Sequence, residues 1–207
     1  MILYSYWRSS AAWRARIALA WKGIDYETRT VDLRAGAHRG VDYGQVNPQG
    51  LVPCLVDGDA VLTQSLAIVE YLEERYPEPA LLPSGPAARA RVRAAALVIA
   101  ADIHPINNLR VLNYLKGELG QPQDALDPWM AHWIAEGFRV LEATAGSPYL
   151  FGDAVTLADL CLVPQLYNAR RFGVDLVPYP RLLAVESRLM ALPAFDLTRP
   201  DNQPDAD

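Results

Sequence analysis

From Ile2 onward, short apolar runs alternate with segments of helical spacing. Ile2–Trp7 is rich in aromatic and branched residues and predicts a strand. Trp13, Ile17 and the Leu19-Ala20-Trp21 run then recur at helical spacing up to Lys22-Gly23, which predicts a helix capped by Ser9 or Ser10. A second strand is predicted within Ile24–Leu33, and a short helix over 37–44. NPQGLVP, residues 47–53, is a turn cluster with proline near each end. Cys54-Leu55-Val56 and Ala60-Val61-Leu62 flank Asp57-Gly58-Asp59 and predict a hairpin. Leu66, Val69 and Leu72 mark a further helix with Ser65 as its cap.

The pattern changes after PEPALLPSGP, residues 77–86, a stretch with four prolines and one glycine. No strand is predicted beyond it. Helical patterns cover 87–118, 127–145, 156–172 and 180–191, and Thr156 with Asp159 has the spacing of a capping box. The last stretch, TRPDNQPDAD, is polar and is predicted to be loose. The fold class is thus α/β plus all-α. A small mixed sheet of order βαβαββα over residues 1–76 is followed by a linker, 77–86, and an all-helical domain, 87–207.

Composition narrows the function classes. Hydrophobic residues make up 51% and charged residues 21%, as in a folded globular chain. The net charge of −5 comes with no basic stripe, which argues against a nucleic-acid partner. No apolar run reaches the ~18 residues of a membrane span. The chain enters its first strand without a leader-like segment, and Cys54 and Cys161 stand alone, so a reducing, cytoplasmic setting is expected. The cysteine spacing points to no metal site. Of the 19 basic residues only Lys22 and Lys116 are lysines. An arginine-rich background from a GC-rich genome accounts for this. Alternatively, some of these forked side chains grip carboxylates.

Taken together, SSxxWRxRIAL at 9–19, NPQGLVP at 47–53, QSLAIVEYLEE at 64–74, LADLCLVPQ at 157–165 and RFGVDLVPYP at 171–180 resemble the zeta class of cytosolic glutathione transferases, which includes maleylacetoacetate isomerases. DIHPINN, residues 102–108, is similar to the bacterial maleylpyruvate isomerases of that class. The resemblance implies a thioredoxin-like first domain, a homodimer and glutathione as cofactor. It offers an account of a strand-to-helix turn without a cysteine: the thiol is borrowed. Ser9, with Ser10, would steady the thiolate, and Arg8 stands beside it. A peptide would be held by a cis turn at Val52-Pro53, by Gln64 and Ser65, by His38, and by His104 and Asn108, which lie four apart on one predicted helical face. Arg8, His104, Arg110 and Arg171 would bind the substrate, a dicarboxylate keto-acid with a cis double bond. Arg170 is one step off the matched position.

Ala11 departs from the family pattern, which has cysteine or threonine there. His132, Cys54 and Cys161 read as structural. Two other functions fit the same fold. One is a transferase that conjugates or dehalogenates small electrophiles, and the other is a non-enzymatic thioredoxin-like interaction module.

Overall fold

Strand β1 (Ile2–Ser5) buries Leu3 and Ser5 on one face of a four-stranded sheet of order β2-β1-β3-β4. The structure is a computed structural model and describes residues 1–206. After β1, helix α1 (Ser10–Trp21) crosses over so that β2 (Glu27–Thr30) runs parallel to β1. Strands β3 (Cys54–Asp57) and β4 (Ala60–Thr63) form the predicted antiparallel hairpin, closed by Gly58-Asp59 with Gly58 at φ +59. Helix α3 (Ser65–Arg75) packs against α1, and Leu3, Ile17, Leu19, Leu55, Ile68 and Leu72 are fully buried. A second cluster gathers Tyr6, Trp7, Val31, Tyr43, Val52 and Cys54.

The predicted helix over 37–44 is split at Gly40 into a 3-10 turn (Ala37–Arg39) and helix α2 (Val41–Val46). The cap of α3 is Gln64, not Ser65, which is already the first helical residue.

The chain divides into two units by its contacts: Met1–Ala80 together with the segment from Ala191 onward, and Leu81–Met190. The TRPDNQPDAD stretch, of which Asp207 lies outside the described residues, is held at Thr198, Pro200 and Asp205 and is not loose as its polarity suggested. Helix α9 (Pro193–Asp196, in chain order) buries Phe195 and Ala194, and a 3-10 turn buries Pro200. Trp13 Nε1 donates to Thr198 Oγ1 at 3.0 Å, and the Trp7 amide donates to Asp205 Oδ2 at 3.0 Å.

In the second unit the single helical pattern over 87–118 becomes three pieces. Helix α4 (Pro86–Leu97) runs into a π-type turn (Val98–Ile103), and α5 (Leu109–Gly117) starts afresh after Pro105. A wide turn at this point meets α6 (Gln123–Thr144) at Gly137, where an added Cβ would lie 2.3 Å from Ile103 Cδ1. Helix α7 (Leu157–Arg171) is buried over most of its length and carries the predicted capping box. Asp159 accepts from the Thr156 amide at 2.8 Å, from Thr156 Oγ1 at 2.7 Å and from the Leu150 amide at 3.0 Å. Helix α8 (Pro180–Met190) packs on α7 and α6.

Candidate active site

The strand-to-helix turn sets the first group of residues. Ser9 takes extended backbone angles, φ −70 and ψ 114, and its Oγ accepts from the Ala12 amide at 3.2 Å. A hydroxyl that accepts at a cap keeps its own proton for a second partner. The first-turn amides and the positive end of the α1 dipole add to the pull on an anion there, and no acidic residue in the first turn opposes it. Ser10 is buried, and Ala11 contributes only a methyl group beside them. The Arg8 guanidinium lies over the Trp7 ring, 5.2 Å from its centroid. Among the described residues no carboxylate pairs with it.

Strand register brings the second group to the same end of the sheet. Cys54 pairs with Tyr4 on one side and Thr63 on the other, so Val52-Pro53, Gln64 and the exit of β1 are neighbours. The Val52–Pro53 bond is cis. The loop before it is pinned: the Leu51 carbonyl accepts from Tyr43 Oη at 2.6 Å and from Asn47 Nδ2 at 2.7 Å. Burial pushes the Tyr43 phenol up to about 12, so it remains a donor. Gly50, at φ +64, lets this loop press against residue 38, where a Cβ would meet the His38 carbonyl at 3.0 Å. His38 Nδ1 is buried with no hydrogen-bond partner, and burial, with Arg39 nearby, holds the imidazole below its usual value.

Gln64 has φ +68, the one positive value at a non-glycine position among the described residues, and its Nε2 donates to Gln49 Oε1 at 2.9 Å. Left-handed backbone at a bulky residue is strained and marks functional turns. Ser65 Oγ accepts from the buried Arg14 Nη1 at 3.3 Å. An arginine cannot accept, so the Ser65 proton points elsewhere. Two helix starts, two hydroxyls, an unpartnered imidazole nitrogen and a cis-proline turn therefore converge at one sheet end. That donor set fits a short peptide bearing carboxylates and a thiol.

In the second unit the four predicted residues are arranged differently from the prediction. His104 closes the π-type turn by donating its amide to the Ile99 carbonyl at 2.8 Å. Asn108 is not on the same helical face. The chain turns between them, Asn108 is extended at φ −68 and ψ 146, and it caps α5 by accepting from the Arg110 amide at 3.1 Å. The break follows at Pro105, which has no amide proton to carry the ladder on beyond the bond that His104 makes to Ile99. Arg110 is exposed in the first turn of α5. Arg170 is taken up by both carboxylate oxygens of Glu186. Arg171 instead receives an orienting contact, Nη1 to Asn168 Oδ1 at 3.2 Å, and lies over the Phe172 ring.

Arg14 and Asn168 escaped the sequence reading. Each sits at a helical offset from a chosen residue, which is a signal only once the helices are placed. Among the described residues, no group of three or more His, Cys, Asp or Glu is placed to hold a metal, and no helix is long and apolar enough to cross a membrane.

Known proteins share this architecture. Residues 1–74 match the family model for the glutathione S-transferase N-terminal domain, and residues 123–186 match that for the C-terminal domain. A probable maleylacetoacetate isomerase of Vibrio cholerae is 51% identical over 100% of this chain and 98% of its own length. A solved holo structure of maleyl pyruvate isomerase, described as a bacterial zeta-class glutathione-S-transferase, superposes with a TM-score of 0.97 at 48% identity, covering 100% of both chains. A maleylacetoacetate isomerase from Methylobacterium extorquens AM1, solved with bound malonate and GSH, gives a TM-score of 0.96 at 40% identity, again with 100% of both chains covered. The chain belongs to the zeta class of the glutathione S-transferase family.

Proposed function

We propose that this chain is a glutathione-dependent cis–trans isomerase that converts a maleyl keto-acid, maleylpyruvate or maleylacetoacetate, into its fumaryl isomer. The observation that carries the reading is a helix start capped by Ser9, whose hydroxyl keeps its proton for a further partner, in a turn that has no thiol. When bound, glutathione supplies that nucleophile. Ser9 Oγ–H and the first-turn amides of α1 hold the negative charge on sulfur, which lowers a thiol pKa from about 8.5 by roughly one to two units. Ser10 adds to that environment. Val52 pairs its backbone with the peptide, the first turn of α3 with Gln64 and Ser65 receives a carboxylate, and His38 contacts the far end as a neutral imidazole. His104 and Asn108 complete the peptide contacts.

Arg8, Arg171 and Arg110 anchor the substrate's carboxylates. The same charges stabilise the enolate-like oxygen that develops as the double bond is opened for rotation. Malonate, bound by the Methylobacterium relative, is itself a dicarboxylate, which supports an anion-reading pocket. His104 carries a proton to or from the enolic oxygen. The enzyme works as a homodimer in the cytoplasm.

The test is isomerisation of each substrate, followed by absorbance, with and without glutathione. Rapid turnover only with glutathione is expected, and the faster substrate names the physiological one. Glutathione binding without turnover on either would sink the isomerase reading. It would favour a conjugating transferase, with Ala11 as the reason.

A further inference from the structure

The C-terminal segment returns to the strand-to-helix turn and holds the residue just before the candidate catalytic pair. Arg16 of α1, 0% exposed, donates Nη2 to the Trp7 carbonyl at 2.9 Å, Nη1 to the Tyr6 carbonyl at 3.3 Å and to Ser5 Oγ at 3.0 Å, and Nε to the Thr198 carbonyl at 3.2 Å. On the other side of the same residue, the Trp7 amide donates to Asp205 Oδ2 at 3.0 Å. Both backbone groups of Trp7 are thus engaged, one from the helix that follows it and one from a residue 198 positions later. The Ser9 amide closes the turn by donating to the Tyr6 carbonyl at 3.0 Å. Asp205 and Arg16 thus hold the peptide plane between Tyr6 and Trp7, and Arg16 holds the next one, from which Arg8 and Ser9 leave; neither plane can swing without breaking one of these bonds. Asp205 also faces Arg16 electrostatically, and burial lowers that guanidinium to about 10 while Asp205 opposes the shift.

We infer that Asp205 is a positioning residue for catalysis: its carboxylate latches the Trp7 amide and so sets where Ser9 Oγ and the Arg8 guanidinium point. This rests on the role proposed above for Ser9. The contact has a directional consequence. By charge alone, removing an anion near a thiolate makes the thiolate easier to form, so its pKa falls. By geometry, releasing the turn lets Ser9 Oγ drift from the sulfur, so the pKa rises. The sign separates the two.

The experiment compares Asp205→Ala with Asp205→Asn in the full chain. The asparagine retains an acceptor oxygen, whereas the alanine does not. In the absence of glutathione, amide hydrogen exchange at Trp7 to Ser10 is expected to speed up in Asp205→Ala by about ten-fold or more and to return towards the parent rate in Asp205→Asn. With glutathione bound, the ultraviolet titration of its thiolate is expected to move up by about half a unit to one unit in Asp205→Ala only. The kcat for isomerisation should fall about three- to ten-fold with it, and KM for glutathione should change less. An unchanged or lowered thiol pKa in Asp205→Ala would overturn the inference, as would equal damage from both substitutions. A parent protein with no thiolate signal would instead defeat the proposed glutathione chemistry. The exchange rates would then still decide whether Asp205 holds the turn.

Discussion

Ser9 does two jobs with one oxygen. It accepts from the Ala12 amide as the cap of α1, and its remaining proton is available to an anion at the helix start. Ser9→Ala removes both roles at once, but they are measured separately. Loss of the cap is expected to cost about 1 kcal/mol, read from a urea midpoint. Loss of the donor is expected to lower kcat about ten-fold or more while glutathione affinity changes only about two-fold, because the hydroxyl favours the charged thiolate over the thiol. Equal losses in kcat and affinity, with an unaltered thiol pKa, would leave Ser9 as a cap alone. His38 makes a pH prediction. Burial holds its folded pKa below the unfolded value, so the unfolded chain takes up the proton first. The stability linked to this group is complete above about pH 6.5 and is lost as pH falls through the lower, folded value. Urea midpoints at neutral and mildly acidic pH should therefore draw closer together in His38→Gln than in the parent. A gap of the same size in both would remove His38 as a source of acid sensitivity.

At the scale of elements, what could be read from the chain was what local chemistry dictates. Asp57-Gly58-Asp59 encodes a tight hairpin because Gly58 takes φ +59 without strain, and Thr156 with Asp159 encodes a helix start because the two bond reciprocally. The helix over 87–118 misled because its apolar spacing runs on through the π-type turn, where the backbone gains a residue but the buried positions Ile99 and Ile103 still face inward. Pro105 ends the first helical run locally, and the wide turn before it is accommodated from elsewhere in the chain, at Gly137 of α6. Gly137→Ala tests this: its Cβ would stand 2.3 Å and 2.6 Å from Ile103 Cδ1 and Cγ1, so Ile103 or the helix must move. A loss of about 1–3 kcal/mol is expected in thermal or urea unfolding. Stability unchanged within about 0.5 kcal/mol would mean that the turn has slack. The candidate site shows the same division. Ser9 and Val52-Pro53 sit in local motifs, whereas the φ +68 at Gln64 and the proton direction at Ser65 depend on Gln49 and Arg14.

At the scale of the whole molecule, a polar tail concealed a structural role, because only a few of its residues face inward. Phe195, just ahead of the tail, is fully buried; within it Thr198 accepts from Trp13 and Arg16, and Asp205 alone meets the Trp7 amide. Two truncations should therefore behave differently. A chain ending at Met190 loses the Phe195 contact, about 3–5 kcal/mol by analogy with core deletions. It also strips acceptors from the buried Arg16 and the Trp13 indole, a cost of a few kcal/mol more. The sum is comparable with the ~5–15 kcal/mol that holds a whole domain together, so this chain is expected to lose its cooperative melting transition. A chain ending at Gln203 retains Phe195, Thr198 and Pro200 and should melt cooperatively within a few degrees of the parent, about the shift that 1 kcal/mol produces. Its defect should appear instead as faster amide exchange at Trp7. Circular dichroism melting of the two truncated chains decides the matter. A Met190-terminated chain that melts like the parent would show that the tail merely rests on the first unit. Collapse of both would show that the last residues carry the fold and not only the position of the turn.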